Sequence, residues 1–337
     1  LNWKLPALPK LPLLIAASAA VLIGALLLSG ISPVEAAQTL FHGSLGSVTA
    51  ISGTLRETTP LLIAGLAVFV ALRAGLFNIG VEGQLTVGAL TCAVVSLKFP
   101  GPLGIGLGMI AGSLAGAIWS LPAGWIKAYR NGHEVITTIM LNSVAVFATS
   151  YLAAGPFKSK TEQEPTTDVL AQNSHLPALV NSGPLQLSLG LAFGLVAVVL
   201  ASVWFKRTVA GYEFQAVGAN PTAAKFAGVE PRRVIMKAMT ISGAIAGFAG
   251  SIQVLAYEFR FYEGFSPGYG FDALGVALLA GRSALGVIPS SLLFGILTKG
   301  GTSLQIDGVP KGITTVILGL LILIAAAVRY RRVNVVA

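Results

Sequence analysis

The chain has 337 residues, 54% of them hydrophobic and 10% charged, with a mean hydropathy of +0.80. Soluble proteins carry about 25% charged residues, so this balance excludes an ordinary soluble enzyme and points to an all-α, polytopic membrane helix bundle. The net charge of +9 sits at the ends of apolar runs, as the positive-inside rule requires, and needs no nucleic-acid partner to explain it.

About 20 apolar residues cross a hydrocarbon core roughly 30 Å thick, and runs of that size follow one another. Lys4 and Lys10 precede the run 11–28. That run exceeds the apolar core of a signal peptide, about 7–15 residues, and reads as a retained first span (helix 11–30) entering from the cytoplasm. Residues 31–57, with Glu35, His42, Arg56 and Glu57, read as an outer loop. A second span over 58–72 ends at Arg73. The stretch 73–84 then sets Gly75, Gly80 and Gly83 around Asn78, Glu82 and Gln84. A third span runs to about residue 97 and contains Cys92, the only cysteine, which excludes an intramolecular disulfide and reads as inert packing. The fourth and fifth spans are expected at 103–126 and 134–154, separated by the basic residues Lys127 and Arg130. A polar outer loop over 155–184 leads to a sixth span at 185–205.

The interval 211–233 is the longest strongly polar stretch with helix punctuation of its own. Asn220 suits an N-cap, Pro221 the first helical position, and Gly228 the left-handed position past the end, so 221–227 is predicted as a two-turn helix. Such a helix is too short to stand alone. The small side chains of Ala223 and Ala224 would let another protein approach its backbone closely. Basic residues from Lys206 to Lys237 put this loop on the cytoplasmic side, where force from a partner would enter.

A seventh span over 234–256 carries Gly243 and Gly247, a small-xxx-small pair for close helix approach. Residues 271–281 are too short for a normal span. Treating them and 285–299 as two short or tilted elements leaves both termini cytoplasmic, with the final run at 313–328 ending in Arg329, Arg331 and Arg332. The total is about ten helices in one membrane domain, residues 1–337: a first helix group over 58–205, a loop over 206–233 and a second group over 234–328. Spans two to five and seven to ten would have opposite orientations. Each set has a glycine-interrupted polar stretch after its first helix (73–84 and 264–282), the pattern that marks a transport path in inverted repeats.

The candidates for that path are Asn78, Glu82, Gln84, Asn142, Gln253 and Asp272. Most of them have a structural alternative. Glu82 would follow a cap at Asn78 and complement a helix dipole, and Asn142 and Gln253 would bond across neighbouring helices. Asp272 would pair with Arg282 or, preferably, cap the helix after Gly270. Phe259, Phe261, Tyr262, Phe265 and Tyr269 suit an interfacial aromatic belt, with stacking of a planar base as the alternative. His42, His133 and His175 match no metal spacing. There is no phosphate-binding loop and no hydrolase signature, so the chain reads as a non-enzyme without a cofactor and with no catalytic residue.

GLFNIGVEGQ (75–84), the run from His133 to Asn142, the stretch 216–250 and GFSPGYGFDALGVALL (264–279) together resemble ABC-transporter permeases for nucleosides and simple sugars. The resemblance covers roughly 58–328, and its residues at 75–84 and 264–272 are similar to the nucleoside branch. It implies a permease subunit in a bacterial plasma membrane, paired with a second, different permease. It also implies two cytoplasmic ABC ATPase domains, an extracytoplasmic substrate-binding lipoprotein and a small polar substrate. Gly218, Asn220, Pro221, Ala223, Ala224 and Gly228 would then form the helix that docks on the ATPase. The alternatives are the same machinery for monosaccharides, or an ion-coupled secondary transporter with Glu82 as its coupling carboxylate.

Overall fold

The computed structural model describes residues 32–309 continuously, with scattered positions between 17 and 30 and between 312 and 320. The expected first span (11–28) and final run (313–328) fall largely outside the described residues, as do both termini. Among the described residues the chain forms eleven α-helices and one two-stranded hairpin.

The region expected as an outer loop, 31–57, is helical. Helix α1 (Pro33–Leu45) starts in a capping box, with Ser32 and Glu35 satisfying each other's backbone amides and proline in the first turn. Helix α2 (Val48–Arg73) is capped by Ser47 and runs through Pro60 without ending. Polar residues disguised both helices. The Ser-Pro-Val-Glu run at 32–35 was the local signal for the first of them.

Helix α3 (Val81–Lys98) follows a short irregular junction. Helices α4 (Pro102–Arg130) and α5 (Glu134–Ala154) come close to expectation. The loop after α5 ends in the hairpin β1 (Ala178–Ser182) and β2 (Leu185–Ser188), so α6 (Leu189–Arg207) starts later than expected. Helices α7 (Val209–Ala219) and α8 (Pro221–Phe226) form the polar interval, and α9 (Pro231–Gln253) continues as a π-helix over Val254–Glu258. Helices α10 (Tyr269–Ala280) and α11 (Val287–Ile306) are separate elements broken at Gly281, where φ is 67°.

Six of these segments are long and apolar enough to cross a membrane: α2, α4, α5, α6, α9 with its π-helical end, and Ala284–Ile306. Helices α2 and α9 form the buried centre, with residues 61–71 of α2 fully enclosed. Helices α4, α5 and α6 line the outside and expose Leu114, Phe147 and Leu200. Helices α3, α4 and α9 touch backbone to backbone. A methyl group on Gly247 would lie 2.2 Å from the Gly112 carbonyl oxygen, and one on Gly88 2.4 Å from Gly247 Cα. Gly243, 2.5 Å from the Gly116 oxygen by the same measure, completes the close approach that the small-xxx-small pair predicts. This is how helices associate where burial from water gives no driving force.

Candidate functional site

The two glycine-interrupted stretches meet in the bundle. The junction between α2 and α3 has no helical bonding of its own, so side chains satisfy its backbone. Asn78 is wholly buried. Its Nδ2 donates to Gln84 Oε1 at 2.9 Å and to Ser242 Oγ at 2.8 Å, while its Oδ1 accepts the Gly80 amide at 3.1 Å. Ser242 Oγ donates on to the Ala67 carbonyl at 2.7 Å, tying the junction to α9 and α2. Asn142 on α5 accepts the Gly83 amide and donates to the Ile79 carbonyl, both at 2.9 Å. Helix α3 is capped at Gly80 with no side-chain bond. Asn78 therefore braces the junction without being the expected cap.

Glu82, in the first turn of α3, does for α10 what a cap residue does locally. Its Oε2 accepts the Gly270 amide at 2.6 Å, and Ser266 Oγ accepts the amides of Gly268 and Tyr269 at 3.3 Å. Gly270 has no room for a side chain, since a methyl group there would lie 2.3 Å from the Glu82 nitrogen. Gly268 holds the cap position of α10, which corrects the capping role expected for Asp272. Asp272 lies one turn further in, and among the described residues no ion pair joins it to Arg282. Of the six path candidates, Asn78, Glu82, Gln84 and Asn142 thus form one braced cluster. Gln253 belongs to a different cluster at the other end of α9.

At the basic end of the bundle, Asn220 caps α8 as expected, its side chain accepting the Ala223 amide at 3.0 Å, and Gly228 has φ 85°. The helix ends at Phe226, and its exposed surface differs from the expected alanine face. Ala224 is 4% exposed and anchors the helix, whereas Phe226 is 89% exposed. Helix α7 was not foreseen. Thr208 caps it, and Phe214 seats it against Trp204, ring centroids 4.9 Å apart, next to Phe205 and Phe69. Arg73 donates to Gln215 on α7. A methyl group on Gly218 would lie 2.3 Å from the Arg73 carbonyl oxygen, and one on Gly75, where φ is 77°, 3.1 Å from Gly218 Cα. The helix pair α7–α8 thus rests directly on the junction that Asn78 braces.

Residues 50–326 match the family described as branched-chain amino acid transport system / permease component. The chain belongs to that family. It is 36% identical to the guanosine ABC transporter permease protein NupP of Bacillus subtilis over 95% of this chain and 92% of that protein. It is 35% identical to the glucose ABC transporter permease protein TsgB13 of Haloferax volcanii, covering 90% of this chain and 84% of the relative. The nucleoside ABC transporter permease protein NupB of Lactococcus lactis is 32% identical over 90% and 87% of the two chains. No solved structure matches. The relatives are permease subunits and not enzymes, and this chain is a multi-pass membrane permease whose described residues are largely helical, as expected.

The opposite end of the permease holds a second polar cluster. Arg56 Nη2 pairs with Glu258 Oε1 at 2.9 Å, and the guanidinium lies 5.3 Å from the centre of the Tyr257 ring. Gln253 Nε2 donates to the same Glu258 oxygen at 3.3 Å, and the Tyr262 hydroxyl donates to the other at 3.3 Å. Burial, reinforced by the Glu258 carboxylate, pushes the Tyr262 phenol up from its ordinary pKa. The Tyr269 hydroxyl donates to Glu57 at 2.9 Å. A cavity of about 1010 Å³ opens beside this cluster, lined by Arg56, Glu57, His175, Tyr257, Phe259 and Lys299.

The expected aromatic belt is not there. Phe261, Phe265 and Tyr269 are buried, Phe261 stacks on Phe265 at 5.1 Å, and Phe259 stacks on His175 at 3.8 Å. The loop after α5 is laced along this segment, with the Thr167, Leu170 and Leu176 amides donating to the Phe261, Phe259 and Leu255 carbonyls at 2.7–2.8 Å.

Proposed function

We propose that the permease forms the membrane path of an ATP-driven importer for nucleosides, working with a second permease, two ATPase domains and an extracytoplasmic binding protein in a bacterial plasma membrane. Its similarity over nearly its whole length to a guanosine permease protein and a nucleoside permease protein carries this reading. The α7–α8 pair is the ATPase-facing element in this reading, with Gly218, Asn220, Pro221, Ala223 and Gly228 shaping it and Phe226 as its exposed anchor. The binding protein meets the opposite end, at the loop 155–184 and the segment 257–270.

Movement of α8 has a short physical route inward. It passes through the Gly218–Gly75 contact to the Asn78 junction, and from Glu82 to the start of α10. A ligand shifts a conformational equilibrium only by binding the two states differently, and ATP supplies that difference through the partner domains. The path candidates Asn78, Gln84 and Asn142 have their hydrogen bonds made within the protein, which favours bracing over direct substrate contact.

A second reading, glucose or another monosaccharide as cargo, rests on the Haloferax relative, which is almost as similar. The test is uptake of labelled guanosine and labelled glucose by proteoliposomes holding the reconstituted complex. Guanosine uptake that needs ATP and resists ionophores supports the proposal. Glucose uptake alone moves the cargo to sugars, and uptake abolished by ionophores replaces the whole reading with an ion-coupled carrier.

A further inference from the structure

We propose that Gln253, Glu258 and Tyr262 form a binding site for an uncharged solute rich in hydroxyl or N–H donors. This rests on the importer reading above and names the group that the cargo would offer on its way through.

Gln253 is 4% exposed, and its Oε1 is one of two buried side-chain polar atoms without a hydrogen-bond partner among the described residues, the other being Thr298 Oγ1. A buried acceptor left unpaired costs stability, and native proteins keep few of them. The amide cannot simply turn over, because its Nε2 is held by the Glu258 carboxylate, and an oxygen in that place would face like charge. The open group is therefore an acceptor awaiting a donor.

The surroundings narrow what that donor is. Glu258 is already neutralised by Arg56 at 2.9 Å and receives the Tyr262 hydroxyl. A cationic ligand would have to displace Arg56, whereas a neutral hydroxyl or N–H needs only the free Oε1. Ribose, nucleobases and monosaccharides share that chemistry. The backbone is unusual at the same place. Five residues from Val254 wind as a π-helix and Phe259 follows at φ 55°, a strained arrangement of the kind found at functional sites. Through Arg56 and Tyr257 the cluster adjoins the 1010 Å³ cavity.

The experiment uses the reconstituted complex with wild-type permease, Gln253→Met or Thr298→Val, with labelled guanosine, 2′,3′-dideoxyguanosine and glucose as probes. Gln253→Met keeps the side chain's volume but removes the acceptor, together with the Nε2 donor to Glu258. It should raise the half-saturation concentration for the transported probe about ten-fold, the scale of one lost hydrogen bond, while the purified permease keeps a cooperative melting transition. Thr298→Val, which also removes an unpaired group, should leave uptake unchanged. If the 2′- or 3′-hydroxyl supplies the donor, dideoxyguanosine should be insensitive to the Gln253 change; if the base or the 5′-hydroxyl does, it should respond as guanosine does. Unchanged uptake kinetics in Gln253→Met overturn the site. A wild-type complex that imports no probe under ATP overturns the importer reading, and the site falls with it.

Discussion

Glu82 and Gly270 lie 188 residues apart and are joined by a hydrogen bond of 2.6 Å from the Gly270 amide to the Glu82 carboxylate. The first turn of one interrupted helix thus caps the first turn of another, where the partial positive charge of a helix N-terminus favours an acid. The bond also separates two roles for Glu82. Glu82→Gln keeps an acceptor for Gly270 and should leave stability and ATP-dependent uptake near wild type. Glu82→Leu strands the amide and should cost about 1–3 kcal/mol, read as a lower melting temperature. Loss of uptake in the glutamine variant with normal stability would favour Glu82 as an ion-coupling carboxylate.

Phe226 should dominate ATPase docking. An aromatic side chain this exposed at the end of a capped helix has the character of an interface anchor, and truncation of such anchors costs about 2 kcal/mol or more. Phe226→Ala should weaken ATPase co-purification by roughly 30-fold or more while the permease still inserts. Normal retention of the ATPase would remove α8 from the interface.

Ala223 and Ala224 should behave differently despite being neighbours. Ala223 is exposed and Ala224 buried. Ala223→Glu should impair docking with the fold intact. Ala224→Glu places a charge under α8, and a buried unpaired charge is strongly unfavourable, so it should melt the helix locally and raise proteolysis near Lys225. Equal effects would mean that α8 presents a different face.

Gly75→Ala should uncouple the machine without dismantling it. The new methyl meets Gly218 at 3.1 Å, and φ at this position is 77°, a conformation costing about 1–2 kcal/mol for an L-residue. The ATPase should still bind and hydrolyse ATP, but uptake per ATP should fall. Unchanged uptake would break the proposed route from α8 to the Asn78 junction.

Asn142→Leu removes partners for both the Gly83 amide and the Ile79 carbonyl. At roughly 1–3 kcal/mol for each stranded group, it should be among the most destabilising single changes in α5. A melting temperature equal to wild type would show that water replaces the side chain.

What could be read from the chain was what local chemistry determines. The start of α5 follows from basic residues and a turn before Glu134, and the start of α8 follows from Asn220 and Pro221. The bundle itself follows from apolar length. Features created by distant contacts left no local trace. Nothing near Gly270 in sequence points to Glu82, so Asp272, the nearest carboxylate, was the natural but wrong choice of cap. Phe226 reads as an ordinary apolar residue until α8 is seen to turn Ala224 inward. The outer aromatics suggested a membrane interface because their spacing resembles a belt, yet tertiary packing takes Phe261, Phe265 and Tyr269 into the interior. Gln253 was legible as a buried polar group within a span, but only the full set of its neighbours revealed an unpaired oxygen.

The lacing of the 165–176 segment onto the end of α9 makes that loop a handle and not a tether. A label on exposed Asp168, between two residues bonded to the segment just after the π-helix, would ride with the backbone beside Glu258. Distance changes from such a label would follow rearrangement at the mouth of the path, whereas one at Gly183, at the open tip of the hairpin, would follow the hairpin. Two reporters about fifteen residues apart would thus distinguish the arrival of a partner from the opening that it triggers.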